Sequence, residues 1–349
     1  MKIALLGDIH VGARGDNQII MDSQFKFFED TFFPYLDKNG ITTVVQMGDV
    51  FDRRKATTHF TLKQWRDRVF NRLNNYNVHA LVGNHDSTFR NTLSCNSLNL
   101  LLGDFKNIHV VDTPIEVEFD GTWFLLLPWI CDDNEKTTLE MIKSTKSSLC
   151  CGHLELSGFP MQRGHVIESG MSPSIFKRFN RVFSGHYHTS SNEGNIFYLG
   201  TPTELTWIDY DDPKGFWVYD TTSDSLDFIK NEASLFSKIM YDDKDKKFVE
   251  NFDASTYKNQ YVKLIVVNKK DPAHFDIVVN DLYAVGVADL KIVENLQADV
   301  DEVEVDDQTV EDTGALIDSF CDNISTELDN DKLKSLMKGL YVESLAVIE

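Results

Sequence analysis

Five short polar motifs, each placed at the end of an apolar run, constrain this chain more than any other feature. They are Asp8-Ile9-His10, Gly48-Asp49, Gly83-Asn84-His85-Asp86, Gly152-His153 and Gly185-His186-Tyr187-His188. The runs before them, residues 2–6, 43–47, 79–82, 148–151 and 182–184, have strand length, as do 108–111, 123–127 and 196–199. Helical periodicity covers 18–38 and 62–76, with Pro34 expected to kink or end the first of these. Apolar strands alternating with helices predict an α/β layer architecture. In open α/β folds, sites form at the carboxyl ends of strands. The motifs therefore bring carboxylates, an amide and imidazoles to one edge of the fold.

The donor types point to divalent cations. Asp8 and His10 lie two apart at the end of the first run, and strand geometry puts both on one face. Asp49 is the expected bridge between two ions. One ion takes Asp8, His10, Asp49 and His188, and the other takes Asp49, Asn84, His153 and His186. Mixed nitrogen and oxygen ligation without thiolate suits Mn²⁺ or Fe²⁺ and suits Zn²⁺ less well, while Mg²⁺ prefers all-oxygen sites. A single histidine on a strand is usually structural, but five of the ten histidines fall in these motifs. His85 follows a ligand and is the candidate proton donor. Asp86 is the candidate group to fix the His85 tautomer. Arg53-Arg54-Lys55 follows the second motif and is a candidate grip on phosphate, against the alternative of a solvated loop. Cys150 and Cys151 should point to opposite faces of their strand and serve as core.

The chain has 349 residues and a net charge of −21, which argues against a free-standing nucleic-acid binder. Residues 296–349 hold fifteen acids and three lysines, so more than half of that charge sits in the last sixth of the chain. No apolar run is long enough to span a bilayer, and the start of the chain reads as a first strand, without a signal-peptide pattern. Five cysteines without Cys-x-x-Cys spacing fit reduced thiols in a cytoplasmic protein. The expected organisation is a main domain over 1–230, with 215–219 and 226–229 as a closing hairpin. A small α+β cap follows over 231–297, built on a βαβ-like unit at 261–267, 273–282 and 289–293. Residues 298–312, with eight acids in fifteen, are expected to be a linker, and 313–349 to form two amphipathic helices.

The five motifs resemble those of the calcineurin-like metallophosphoesterases. Within that group, Gly48-Asp49-Val50-Phe51-Asp52 and Gly200-Thr201-Pro202 resemble the SbcD-type DNA double-strand-break nucleases. Asn39-Gly40-Ile41-Thr42-Thr43, Pro128-Trp129 and Asp212-Pro213-Lys214-Gly215-Phe216-Trp217 are similar to the T-even phage branch of these recombination nucleases. The resemblance implies a β-sandwich flanked by helices. It also implies a two-manganese nuclease acting as a 3′→5′ double-strand exonuclease and single-strand endonuclease. A homodimer and a coiled-coil ATPase partner of the SbcC type, bound near the C-terminus, are implied as well. No Walker A motif occurs here, so ATP hydrolysis would belong to that partner. The terminal helices either bind it or fold back on the core. Many cellular relatives carry histidine where this chain has Asp52, which leaves Asp52 as an orienting group without imidazole chemistry. Two other readings stay open: the same metals acting on a phosphoprotein or cyclic nucleotide, and a non-catalytic scaffold.

Overall fold

In a computed structural model the chain divides into two units, Met1–Asn295 and Leu296–Glu349. The structure describes residues 1–162 and 165–294, together with Lys334 and Met337, both helical. The acidic stretch at 298–312 and, apart from those two residues, the helices expected over 313–349 lie outside the described residues.

Seventeen strands are described in the first unit. In chain order they are β1 (Lys2–Leu6), β2 (Thr43–Gln46), β3 (Asn77–Leu81), β4 (Ile108–Val111), β5 (Ile115–Phe119) and β6 (Thr122–Leu127). Then come β7 (Leu149–His153), a small hairpin of β8 (Pro160–Gln162) and β9 (His165–Val166), β10 (Arg181–Gly185), β11 (Ser191–Glu193) and β12 (Ile196–Tyr198). The last are β13 (Gly215–Asp220), β14 (Ser225–Lys230), β15 (Phe236–Asp242), β16 (Tyr261–Asn268) and β17 (Asp289–Val293). One six-stranded sheet runs β14-β13-β1-β2-β3-β4, and a second runs β11-β12-β10-β7-β6-β5. The strands that end in motifs all pair in parallel: β1, β2 and β3 in the first sheet, β7 and β10 in the second.

The two sheets face each other across an apolar layer. Ile3, Leu5, Val45, Met47 and Leu81 come from the first, and Phe124, Leu126, Leu149, Cys151 and Phe183 from the second. Alternate residues of the same strands, Ala4, Leu6, Val44, Val78 and Ala80, pack outward against helices. On the other side Leu125, Leu127, Cys150 and Val182 pack outward with Ile142 and Phe176. The result is the expected α/β sandwich with helices on both outer faces. Central parallel strands are buried on both sides, which is why they read as unbroken apolar runs. Cys150 and Cys151 sit in different layers, as period-2 pointing requires.

Pro34 does not end its helix. Helical residues run from Gln18 to Asn39, with a π-helical stretch at Phe27–Phe32 and α-helix on either side. Pro34 falls in the first turn of the segment after the π stretch, where a missing N–H costs least. This helix and the one from His59 to Leu73 bury Phe27, Phe28, Phe32, Phe33, Trp65 and Phe70 against the first sheet. Removing one such ring would cost about 3–5 kcal/mol. Leu98 and Leu102 are also in this core, while Phe60 and Leu100 are exposed.

The hairpin β13–β14 extends the first sheet beside β1. After it, β15, β16 and β17 form a parallel three-stranded sheet, with Pro272–Val285 as the crossover helix. The strand–helix–strand order expected over 261–293 is present, and β15 adds a strand that the sequence pattern did not show. This sheet meets the segment after β12, where Trp207 packs on Phe236 at 5.0 Å, and the start of the helix at Gln18, where Asn17 donates to the Tyr261 hydroxyl at 2.8 Å. Among the described residues no helix is long and apolar enough to cross a membrane.

Candidate metal centre

Every donor named from the sequence reaches one place, the carboxyl ends of the parallel strands where the two sheets meet. Asp8 and His10 follow β1, Asp49 follows β2, Asn84 follows β3, His153 closes β7, and His186 and His188 follow β10. The glycines before them leave room that no other residue would. A Cβ on Gly83 would lie 2.1 Å from Asp49 Oδ1, and one on Gly185 would lie 2.3 Å from Asp8 Oδ1. Three of the donor residues hold a left-handed backbone: His10 (φ 54), Asp49 (φ 50) and His186 (φ 85). Such residues cost about 1–3 kcal/mol each and persist where the surroundings force them, as at functional sites.

Two donor groups form. Asp8, His10 and His188 make one and Asp49, His153 and His186 the other, with donor atoms in each group within 4.8 Å of one another. Asn84 joins the second group, its Oδ1 lying 2.9 Å from His153 Nε2 and 3.1 Å from His186 Nδ1. The inner wall, Asp8, His10, Asp49 and His153, is at most 1% exposed, whereas His85 and His186 are partly exposed and open the site to solvent.

The residues fit a pair of cations because acceptors face acceptors. His153 Nδ1 donates to the Met47 carbonyl at 2.7 Å, which leaves Nε2 as a lone pair. That lone pair points at Asn84 Oδ1 and, at 3.3 Å, at Asp49 Oδ2. His10 Nε2 and His188 Nε2 are 3.0 Å apart. Asp8 Oδ1 and Asp49 Oδ2 are buried with no hydrogen-bond partner, while their sister oxygens accept from His186 N and His85 N at 2.8 Å each. Buried acceptors without donors are costly unless a cation lies among them.

Electrostatics agree with this. Burial opposes charge on His10, but the carboxylates of Asp52, Asp49 and Asp8 outweigh it and push its pKa up to about 9. His153 is likewise opposed by burial, yet is pushed up to about 9 by Asp49 and Asp8. His186 goes the other way, to about 3, through burial and the neighbouring His153. Burial raises Asp8, with Asp49 adding to it against His153 and His10. Burial also opposes ionisation of Asp49, but His153, His85 and His10 hold it well below the usual carboxylate range. The buried carboxylates thus draw positive charge into the site, as a cation site requires.

The structure corrects the role expected for Asp86. Its carboxylate does not hold His85. It accepts from Gly83 N at 2.9 Å, Phe51 N at 2.9 Å and Val50 N at 3.2 Å, and is fully buried. The His85 Nδ1 lies instead 2.6 Å from the Asp52 carbonyl oxygen. Asp52 also places its carboxylate 3.3 Å from His10 Nδ1, so one residue holds two histidines of the site. Of the basic run, Arg53 is ion-paired with Asp16, Arg54 is half-buried and Lys55 is exposed. In the sequence Trp129 stands out only as half of the Pro128-Trp129 stretch. Its ring lies 5.1 Å from that of His186 and 5.9 Å from that of His153, and walls the second donor group.

Residues 1–190 match the calcineurin-like phosphoesterases, and the chain belongs to that family of metal-dependent phosphoester hydrolases, which bind two divalent metals. It is similar to a particular relative along its whole length: it is 35% identical over 349 residues to exonuclease subunit 1 of Enterobacteria phage T4, covering 99% of each chain. Two solved structures are also similar. One is an archaeal phosphodiesterase (17% identity, TM-score 0.34, 66% of this chain and 100% of that one). The other is the Pseudomonas putida nuclease MPE (18% identity, TM-score 0.29, 57% of this chain and 67% of that one).

Proposed function

We propose that this protein is the nuclease subunit of a DNA recombination or repair complex, cleaving phosphodiester bonds with two Mn²⁺ ions. The observation that carries the reading is the pair of converging donor groups at the strand ends, in a chain alike throughout its length to a phage exonuclease subunit. Asp8, His10 and His188 would hold the first cation and Asn84, His153 and His186 the second, with the Asp49 carboxylate shared between the two groups. Two bound cations supply a nucleophilic water at neutral pH and offset phosphodiester charge.

The chain's own residues do the rest. Asp52 fixes the rings of His10 and His85. His85 gives its Nδ1–H to the Asp52 carbonyl and leaves Nε2 facing the site, so that the doubly protonated ring passes its Nε2 proton to the leaving oxygen and is left neutral. The partly exposed edge at His85 and His186 admits the strand, and the buried inner wall excludes water behind it. The substrate is DNA, degraded 3′→5′ from duplex ends and cut internally in single strands. Lys55 and Arg54 are nearest in the chain to take backbone phosphate, with Arg53 holding the loop through Asp16. Residues 231–297 act as a DNA-binding cap. The protein works as a homodimer in the host cytoplasm, with a coiled-coil ATPase bound through residues 313–349.

Purified protein should degrade linear duplex DNA with Mn²⁺ and lose that activity in EDTA. Asp49→Ala should lose both bound metal and activity. Hydrolysis of a phosphopeptide or cyclic nucleotide with no cleavage of DNA would keep the metal site and overturn the DNA reading.

A further inference from the structure

One buried charged cluster outside the donor set touches it. Lys214 has a side chain only 3% exposed. Its Nζ lies 2.6 Å from Asp209 Oδ1 and 2.9 Å from Asp212 Oδ2, and donates to the His188 carbonyl at 2.9 Å. An ammonium has three N–H groups, and all three are taken. Burying a charged triad is a poor way to gain stability, since apolar packing of similar volume does as well or better. A role beyond packing accounts for it.

The role is visible in what Lys214 holds. The chain leaves β10 through His186, whose φ of 85 is strained, and reaches His188 two residues later. Strain of this kind survives only when neighbours fix the backbone on either side. Ahead of it, the His186 N–H is bound to Asp8. Behind it, the His188 carbonyl takes Lys214 Nζ and, at 3.1 Å, the Thr201 N–H. Gly200 lets the two segments meet, because a Cβ there would lie 3.0 Å from that same carbonyl and 2.9 Å from Ser190 N. Lys214 in turn directly precedes β13, which pairs with β1, the strand that delivers Asp8 and His10. The ammonium thus ties the end of the second sheet to the first at the point where His188 Nε2 comes within 3.0 Å of His10 Nε2.

We propose that Lys214 is a positioning residue for the first cation: neutralised by Asp209 and Asp212, it clamps the His188 carbonyl and so aims the His188 imidazole at His10. This rests on the two-metal reading above. The test is Mn²⁺ binding to metal-free full-length protein, followed by calorimetry and electron paramagnetic resonance. Wild type is compared with Lys214→Met and with the triple variant Asp209→Asn/Asp212→Asn/Lys214→Met, which leaves no unpaired buried charge. One ion should bind as in wild type and the other roughly 10- to 100-fold more weakly. A merely structural residue would lower Tm and leave the ratio of the two affinities unchanged. Two ions bound by a folded triple variant with wild-type affinities would overturn the role of Lys214 alone. Fewer than two ions on wild type would overturn the two-metal reading, and this proposal with it.

Discussion

His85 is held from two sides. Its backbone N–H donates to Asp49 Oδ1 at 2.8 Å and its Nδ1 sits on the Asp52 carbonyl at 2.6 Å. Neither contact uses the ring to bind a cation, so His85→Gln should keep both metals and lower kcat roughly 10²- to 10⁴-fold. Wild-type turnover in that variant would remove His85 from the chemistry. At this scale the donors were legible because five of the seven directly follow a glycine and all lie within four residues of a strand end, where pattern alone says where the side chain goes. The residues that hold the donors were not. Asp86 is adjacent to His85 in the chain, and adjacency suggested a hydrogen bond, but the carboxylate turns back to three backbone N–H groups. Asp52 does the holding instead, through a carbonyl oxygen that no side-chain pattern announces. Lys214 was visible only as part of a similar stretch, and its contact with His188 spans 26 residues.

The loops after β2 and β3 behave as one element because Asp86 joins them. Its carboxyl is raised by burial and by Asp49, against the three N–H groups that favour its charge. Asp86→Ala would leave three buried donors unpaired, at about 1–3 kcal/mol each. The expected outcome is a fall of several kcal/mol in unfolding free energy by denaturant titration, with weaker metal binding because Asp49 and Asn84 lie on the joined loops. Unchanged stability would show the loops to be held by other means. Strands buried on both faces were readable as apolar runs, and their observed ends fall within two residues of those expected. Edge strands were harder: β11 is three polar residues, Ser191–Glu193, whose strand state comes only from pairing with β12. The helix through Pro34 shows the same limit. Propensity stops a helix at proline, whereas the π stretch and the burial of Phe32 and Phe33 carry it on.

On the scale of the molecule, the proposed function places chemistry and assembly in different parts of the chain. All candidate donors lie before residue 190, and the first unit ends at Asn295. Removing residues 313–349 should therefore leave nuclease activity and abolish co-purification with the coiled-coil ATPase. Retained binding would place the partner's contact elsewhere. The acidity of residues 296–349, −12 of the total −21, also means that the rest of the chain meets DNA with much less repulsion than the whole composition implies.

What the sequence by itself determined is the class of fold and the identity of the donors, since strand burial and the residue types at strand ends are local properties written in period and spacing. What only the tertiary structure decided is how the donors are held. The acceptor-facing geometry of His153, the two-handed grip of Asp52 and the Lys214 clamp are contacts between segments distant in sequence. Their partners are chosen by how two sheets pack, and no local pattern encodes that choice.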